Sequence, residues 1–422
     1  MTRIRTAHIA AALLSLLLAA CASAPVPSAA GPGTTPYTLL LVSLDGVHPD
    51  DLRRGDTPNL SRLAAEGVSA EWMTPSYPAL TFPNHYTLVT GRRPDRHGLV
   101  HNVMQVPELG RFMLSDRDAV GDGRWWDGGE PLWVTVENAG MPTATLFWPG
   151  SEAPVQGVSP TRWTAFDAGL PKDERVDRVL AWLSEPASTR PRFATLYFEH
   201  PDSAGHAHGP GSPELRAAMR AVDAQIGRLL DGIERRGLAG QVDLVIVSDH
   251  GMAEVPGGNV VAFEQMVDAA DAEPVSFGQV LGFRPLPGRT AAAEAALLGA
   301  HDRYDCWRKH ELPARWRYGS HPRIPPIVCQ MHEGWDALPA RYIERRPPGT
   351  RGSHGYDPAL ESMRAIFIAR GPSFAGGVRL PPFDNVDVYP LLARLVGVEP
   401  AAHDGDPATL LPALRSTAAA HR

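Results

Sequence analysis

Apolar runs that stop abruptly at acidic or histidine residues set the layout of this chain. Residues 37–44 (YTLLLVSL) end in Asp45-Gly46, residues 193–198 (FATLYF) in Glu199-His200-Pro201-Asp202, and residues 242–247 (VDLVIV) in Ser248-Asp249-His250-Gly251. Nearly continuous apolar runs of this length predict strands buried on both faces, and therefore parallel ones. Between them the spacing changes to the helical period, in residues 58–66, 83–89, 173–183 and 212–236. In the last of these Leu215, Met219, Val222, Ile226 and Leu229 fall on one stripe. Residues 365–369 predict another strand and 386–396 a closing helix. Strands alternating with helices predict an α/β fold with a central sheet flanked by helices. The rhythm is lost from about 252 to 352, a stretch rich in Pro and Arg that predicts an inserted subdomain over one edge.

The 422 residues are 43% hydrophobic, with no long polar or repetitive tract, enough for one large domain or two unequal ones, and residues 37–400 read as one domain followed by a tail over 401–422. Arg3 and Arg5 precede the apolar run 9–20, which predicts a secretory signal over residues 1–20. The run is short for a membrane span, and its end, Leu18-Ala19-Ala20-Cys21, resembles a bacterial lipobox, in which Cys21 is lipidated. A plain signal cut after Ala24 is the alternative. Residues 21–36, mostly Ala, Pro, Gly, Ser and Thr, read as a tether. The expected protein is thus exported, periplasmic, and in contact with membrane through its lipid anchor only. Loss of Arg3 and Arg5 takes the charge from −7 to about −9 (38 basic against 47 acidic residues), which disfavours long nucleic acid as a partner. Beyond Cys21 only Cys306 and Cys329 remain, an even pair that predicts a disulfide in an oxidising compartment.

Chemistry gathers where ligands collect in an open α/β sheet, at the carboxyl ends of strands. Asp45, Asp249 and the Asp202/His206 pair each read singly as turn or loop residues. Jointly, with His354 in a glycine-flanked loop, they supply the carboxylates and imidazoles that suit zinc, in sufficient number for two ions. His85, His97, His101, His200 and His208 compete as ligands, and spacing does not choose among them. Thr81 stands at a helix entrance, with Phe82 before Pro83 and expected outside the helix. Its hydroxyl reads either as a helix cap or as a nucleophile, and the second needs a metal to lower its pKa.

Six segments in order, Asp45-Gly46, TFPNHYTLVTG from Thr81, FWPGS from Phe147, PDSAGHAHGP from Pro201, SDHGM from Ser248 and GSHGYD from Gly352, resemble the nucleotide pyrophosphatase/phosphodiesterase family of the alkaline phosphatase superfamily. The resemblance implies a mixed, mostly parallel sheet between helices and two zinc ions at its edge. It implies one ion on Asp45, Asp249, His250 and Thr81, the other on Asp202, His206 and His354, and a nucleophilic Thr81 that carries the phosphoryl group before water releases it. Asn102 resembles the family's donor to a nonbridging phosphate oxygen. A single neutral donor suits a diester monoanion, whereas a monoester dianion calls for an arginine clamp. Arg92 and Arg93, the nearest candidates, are expected to face solvent. Phe82 is placed to stack on a base, with Phe166, where the family has a Tyr, and Tyr197 as further candidates, and Trp148 packed beneath the loop. The expected activity is hydrolysis of a small nucleotide or dinucleotide to a nucleoside 5′-monophosphate. The alternative is a phosphomonoesterase or phospholipid-directed phosphodiesterase of the same superfamily.

Overall fold

The three apolar runs lie side by side at the centre of an eight-stranded sheet, as a computed structural model of residues 37–416 shows. From one edge the order is Val378–Leu380, Val68–Ala70, Phe367–Arg370, Val242–Val247, Thr38–Leu44, Phe193–Phe198, Thr143–Leu146 and Arg162–Thr164. Leu40 is in register with both Ala194 and Leu244, and these central pairs run parallel. Only Phe367–Arg370 runs antiparallel to its neighbours, which makes the sheet mixed and mostly parallel. The signal, Cys21, the tether and residues 417–422 lie outside the described residues.

The central strands are apolar on both sides because both sides are covered. Leu39 and Leu41 join one core layer with Tyr86, Leu88, Trp133, Tyr389 and Leu392, while Leu40, Val42 and Leu44 join the opposite layer. In that second layer the Pro213–Arg235 helix, capped by Ser212 on the Leu215 N–H, buries Leu215, Met219, Val222, Ile226 and Leu229 as the stripe predicts. Truncating such a residue to Ala costs about 2–5 kcal/mol.

Between residues 252 and 352 the rhythm breaks because a second sheet with different pairing begins. Five antiparallel strands, in the order Ala272–Ser276, Val280–Pro285, Ile327–Met331, Tyr304–Arg308 and Gly299–Ala300, enclose a separate core of Leu281, Phe283, Leu297 and Ile327. Cys306 faces Cys329 across neighbouring strands, and the two form a disulfide. Within residues 401–416, Leu410 and Ala413 are buried, and Leu414 bridges to Phe374.

Candidate active site

The parallel direction of the central strands brings Asp45, Asp202 and Asp249 to one edge of the sheet. Gly46 turns the chain sharply with φ +70°, and a Cβ there would come within 3.1 Å of Asp202. Glycine therefore permits both the turn and the close approach. Asp202 and His206 lie one turn apart on the His200–His208 helix, with Nε2 3.4 Å from Oδ1. His354 arrives from far along the chain because the excursion closes on itself: Ala253–Val255, just after His250, pairs antiparallel with Arg351–Ser353.

Each of the three histidines is oriented in the same way. Nδ1–H donates to a backbone carbonyl, from His250 to Gly251 at 3.0 Å, from His354 to Ala79 at 2.9 Å and from His206 to Gly352 at 2.9 Å. These bonds fix the tautomer and leave each Nε2 lone pair for a ligand. The carboxylates show the same division. Asp45 accepts the Tyr197 hydroxyl through Oδ2, and Asp249 accepts the Gly46 N–H through Oδ1. Asp45 Oδ1, Asp249 Oδ2 and Asp202 Oδ1 are buried without a hydrogen-bond partner. An unsatisfied buried acceptor costs about 1–3 kcal/mol, more when charged. Asp202, His206 and His354 form one group able to hold a metal ion, and Asp45, Asp202 and His250 another, with ligand atoms inside each group within 4.8 Å of one another. Hard carboxylate and borderline imidazole donors in this mixture fit zinc.

The charges agree with that fit. Burial, then the neighbouring charges of Asp249 and Asp202, push the Asp45 carboxyl well above its ordinary range. Burial pushes Asp249 upward too, but His250 and His85 outweigh it and hold that carboxyl well below. His354 is pushed well down, by burial and then by His250 and His206. Three carboxylates gathered in a low-dielectric space require nearby positive charge to ionise together.

Thr81 is the first residue of the Thr81–Thr90 helix, and its hydroxyl lies 3.3 Å from His250 Nε2. The cap position is Leu80, which makes no side-chain bond, so the capping role expected of a helix-start threonine is not the one adopted. Phe82, expected outside the helix, lies within it. The lost N–H of Pro83 falls in a first turn that needs no donor, and the Phe82 N–H is taken by Asn102 Oδ1 at 3.0 Å.

Not every expected residue serves as expected. Phe82 is half-buried, with Phe112 and Trp126 each 5.9 Å away, and Phe166 is half-buried against Phe147 and Tyr197. Tyr197 is 7% exposed and spends its hydroxyl on Asp45, so it orients a carboxylate and offers no open face for stacking. Trp148 does pack beneath, fully buried against His85. Arg93 is buried rather than solvent-facing, paired with Asp384 at 2.6 Å, and Arg92 donates to the Gly128 carbonyl. Among the competing histidines, His97 bonds Thr87 and His101 the Val280 carbonyl, His200 lies beside Glu199, and His208 is exposed. His85 comes close to Asp45 and Asp249 but has both ring nitrogens engaged, by the Thr81 carbonyl and by Ser43.

A mixed α/β sheet that gathers aspartates and histidines at its strand ends around a helix-start threonine defines a metal-dependent hydrolase of the alkaline phosphatase type. Residues 39–357 match the Type I phosphodiesterase / nucleotide pyrophosphatase family, and the chain belongs to it. It is a hydrolase of phosphodiester and pyrophosphate bonds. It is 36% identical over 421 residues to human ectonucleotide pyrophosphatase/phosphodiesterase family member 7, covering 96% of this chain and 89% of that one. It is 34% identical over 394 residues to an uncharacterized pyrophosphatase/phosphodiesterase of Schizosaccharomyces pombe, covering 90% and 81%. Among solved structures it resembles murine ectonucleotide pyrophosphatase/phosphodiesterase 5, an inactive threonine-to-alanine form in complex with AMP, with a TM-score of 0.85, 30% identity, and coverage of 90% of this chain and 100% of that one.

Proposed function

We propose that the chain hydrolyses nucleotide phosphodiester and pyrophosphate bonds at the α-phosphorus and releases a nucleoside 5′-monophosphate by way of a Thr81 ester. The observation that carries this reading is the convergence of three partnerless carboxylate oxygens and three aligned imidazole nitrogens beside one hydroxyl. Asp45, Thr81, Asp249 and His250 would hold one zinc ion, and Asp202, His206 and His354 the other. When bound, the ions supply positive charge that acidifies a hydroxyl and stabilises a phosphate and its leaving oxygen.

Within that frame Thr81 Oγ1 bonds to phosphorus as the leaving-group oxygen departs, and water then cleaves the Thr81 ester. Asn102 Nδ2 donates to a nonbridging oxygen, and Phe82 and Phe166 flank the nucleoside. The murine relative, inactive as a threonine-to-alanine form and seen with AMP, supports the nucleophile and the product. Arg92 and Arg93, tied to Gly128 and Asp384, do not make the clamp a monoester dianion calls for. The discriminating experiment compares an aryl nucleotide diester with an aryl monoester bearing the same leaving group, and measures zinc per chain. Faster diester cleavage with two zinc ions supports the reading, and faster monoester cleavage overturns it.

The same reading places the enzyme outside the cytoplasm, in the periplasm, with its catalytic domain starting at Tyr37 and held to the membrane through lipid on Cys21. The disulfide suits an oxidising compartment. Among the described residues no helix is long and apolar enough to cross a membrane. Mass spectrometry of the mature N-terminus tests the anchor, and an unmodified start at Pro25 overturns it.

A further inference from the structure

We propose that His85 is a positioning residue for the nucleophile, an inference that rests on the reading of Thr81 given above. His85 is fully buried and lies one helical turn after Thr81, on the same helix face. Its Nδ1 donates to the Thr81 carbonyl oxygen at 2.8 Å and stands 3.3 Å from Asp249 Oδ2, the oxygen without a hydrogen-bond partner. Its Nε2 accepts the Ser43 hydroxyl at 2.7 Å. One neutral tautomer, protonated on Nδ1, serves both hydrogen bonds and leaves the same N–H edge beside the Asp249 carboxylate. That tautomer has no lone pair left for a metal ion, although the ring is near enough to Asp45 and Asp249 to be grouped with them as a ligand.

The imidazole therefore joins three elements that chain connectivity keeps apart. Ser43 lies in the central strand two residues before Asp45, in register with Tyr197 and Val247. Thr81 opens its helix, and Asp249 follows the neighbouring strand. The ring itself is held edge-on between Trp148 at 5.1 Å and Tyr197 at 5.2 Å, and Trp148 Nε1 donates to the His85 carbonyl at 3.2 Å. With both nitrogens satisfied and aromatic rings on its flanks, His85 sets the distance between the first peptide of the Thr81 helix and the Asp249 carboxylate. A misplacement of about 1 Å at a nucleophile can cost on the order of 10²-fold in rate.

The test uses full-length wild type, His85→Leu, His85→Asn and Ser43→Ala, with an aryl nucleotide diester as substrate, reading kcat, KM, zinc per chain and Tm. His85→Leu should lower kcat about 10- to 100-fold with KM and zinc content near wild type. His85→Asn, which keeps a donor near the place of Nδ1, should recover much of that loss, and Ser43→Ala should fall between wild type and His85→Leu. A missing zinc ion in His85→Leu would make His85 a ligand and overturn the proposal. So would a fall in Tm with kcat unchanged, or a His85→Asn variant no better than His85→Leu. Should His85→Leu fail to fold, Ser43→Ala decides alone: lower kcat at full zinc content supports the proposal, and unchanged kcat overturns it. A wild type without zinc or diesterase activity rejects the underlying reading of the site, an outcome visible before any variant is made.

Discussion

The Asn102 carboxamide oxygen accepts the backbone N–H of Phe82 at 3.0 Å, which ties Asn102 to the residue that follows the nucleophile candidate. A backbone N–H can only donate, so the contact identifies the oxygen end of the amide and leaves Nδ2 as the end for a ligand. Asn102→Ala should lower kcat/KM by about 10²-fold or more, as expected for one preorganised donor. Asn102→Asp keeps the acceptor, loses the donor and adds a negative charge, and should be worse. Steady-state kinetics on an aryl nucleotide diester decides, and an Asn102→Asp variant as active as wild type contradicts the assignment.

Thr81→Ala should lose several orders of magnitude in turnover and form no covalent nucleotide adduct. Asn102→Ala should still form the adduct, slowly. Quenched-flow mass spectrometry of the peptide spanning Thr81 separates the two. Near-normal turnover in Thr81→Ala would remove the nucleophile from the account.

Chelation should abolish activity while far-UV circular dichroism stays close to native, because both main core layers and the core of the excursion are apolar clusters that do not depend on the cluster of ligands. His354→Ala and His206→Ala should each lower zinc content by the same amount, since both complete the Asp202 group. Elemental analysis of each variant provides the check, and an unchanged content in either one excludes that residue as a ligand.

Reducing the Cys306–Cys329 bond should destabilise the protein by about 3 kcal/mol in the loop-entropy picture, for a sequence separation of 23. The effect should be concentrated in the excursion, where the two cysteines join adjacent strands. Hydrogen exchange with and without reductant reports it, and equal protection of those strands in both states counts against the pairing.

Burial pushes His101 down from 6.5 to about 4, while it bonds the Val280 carbonyl and so links the core to the excursion. Between those values the unfolded chain binds a proton that the folded protein excludes. Stability from this group is therefore present above the unfolded value and is lost as pH falls through the window, on the order of 3 kcal/mol in full. Urea unfolding above and below the window should show a smaller difference for His101→Phe than for wild type. Equal differences would assign the acid sensitivity to other groups.

The sheet was legible where its strands are buried on both faces, because residues 38–44, 193–198 and 242–247 then have little choice but to be apolar. Val68–Ala70, Thr143–Leu146, Arg162–Thr164 and Val378–Leu380 have no such signature. They are short, and carry Ser, Thr or Arg in place of a continuous apolar run. Asp45, Asp202, His206, His250 and His354, which fall into groups able to hold a metal ion, could be picked out from strand ends together with family likeness. Tyr197 and His85 could not, since the first looks like a core aromatic and the second like one more histidine until the contacts with Asp45, Asp249 and Ser43 are seen. The one available signal was spacing: His85 lies one helical turn beyond Thr81.

The central claim is that phosphorus passes through Thr81, and the stereochemical course at the α-phosphorus tests it most directly. Each in-line displacement inverts the centre, so attack by Thr81 followed by attack by water must restore it. Hydrolysis of a nucleotide diester made chiral at phosphorus by sulfur and oxygen-isotope substitution should give a 5′-monophosphorothioate with net retention. Net inversion would mean that water attacks the substrate in one step and that Thr81 is not the nucleophile.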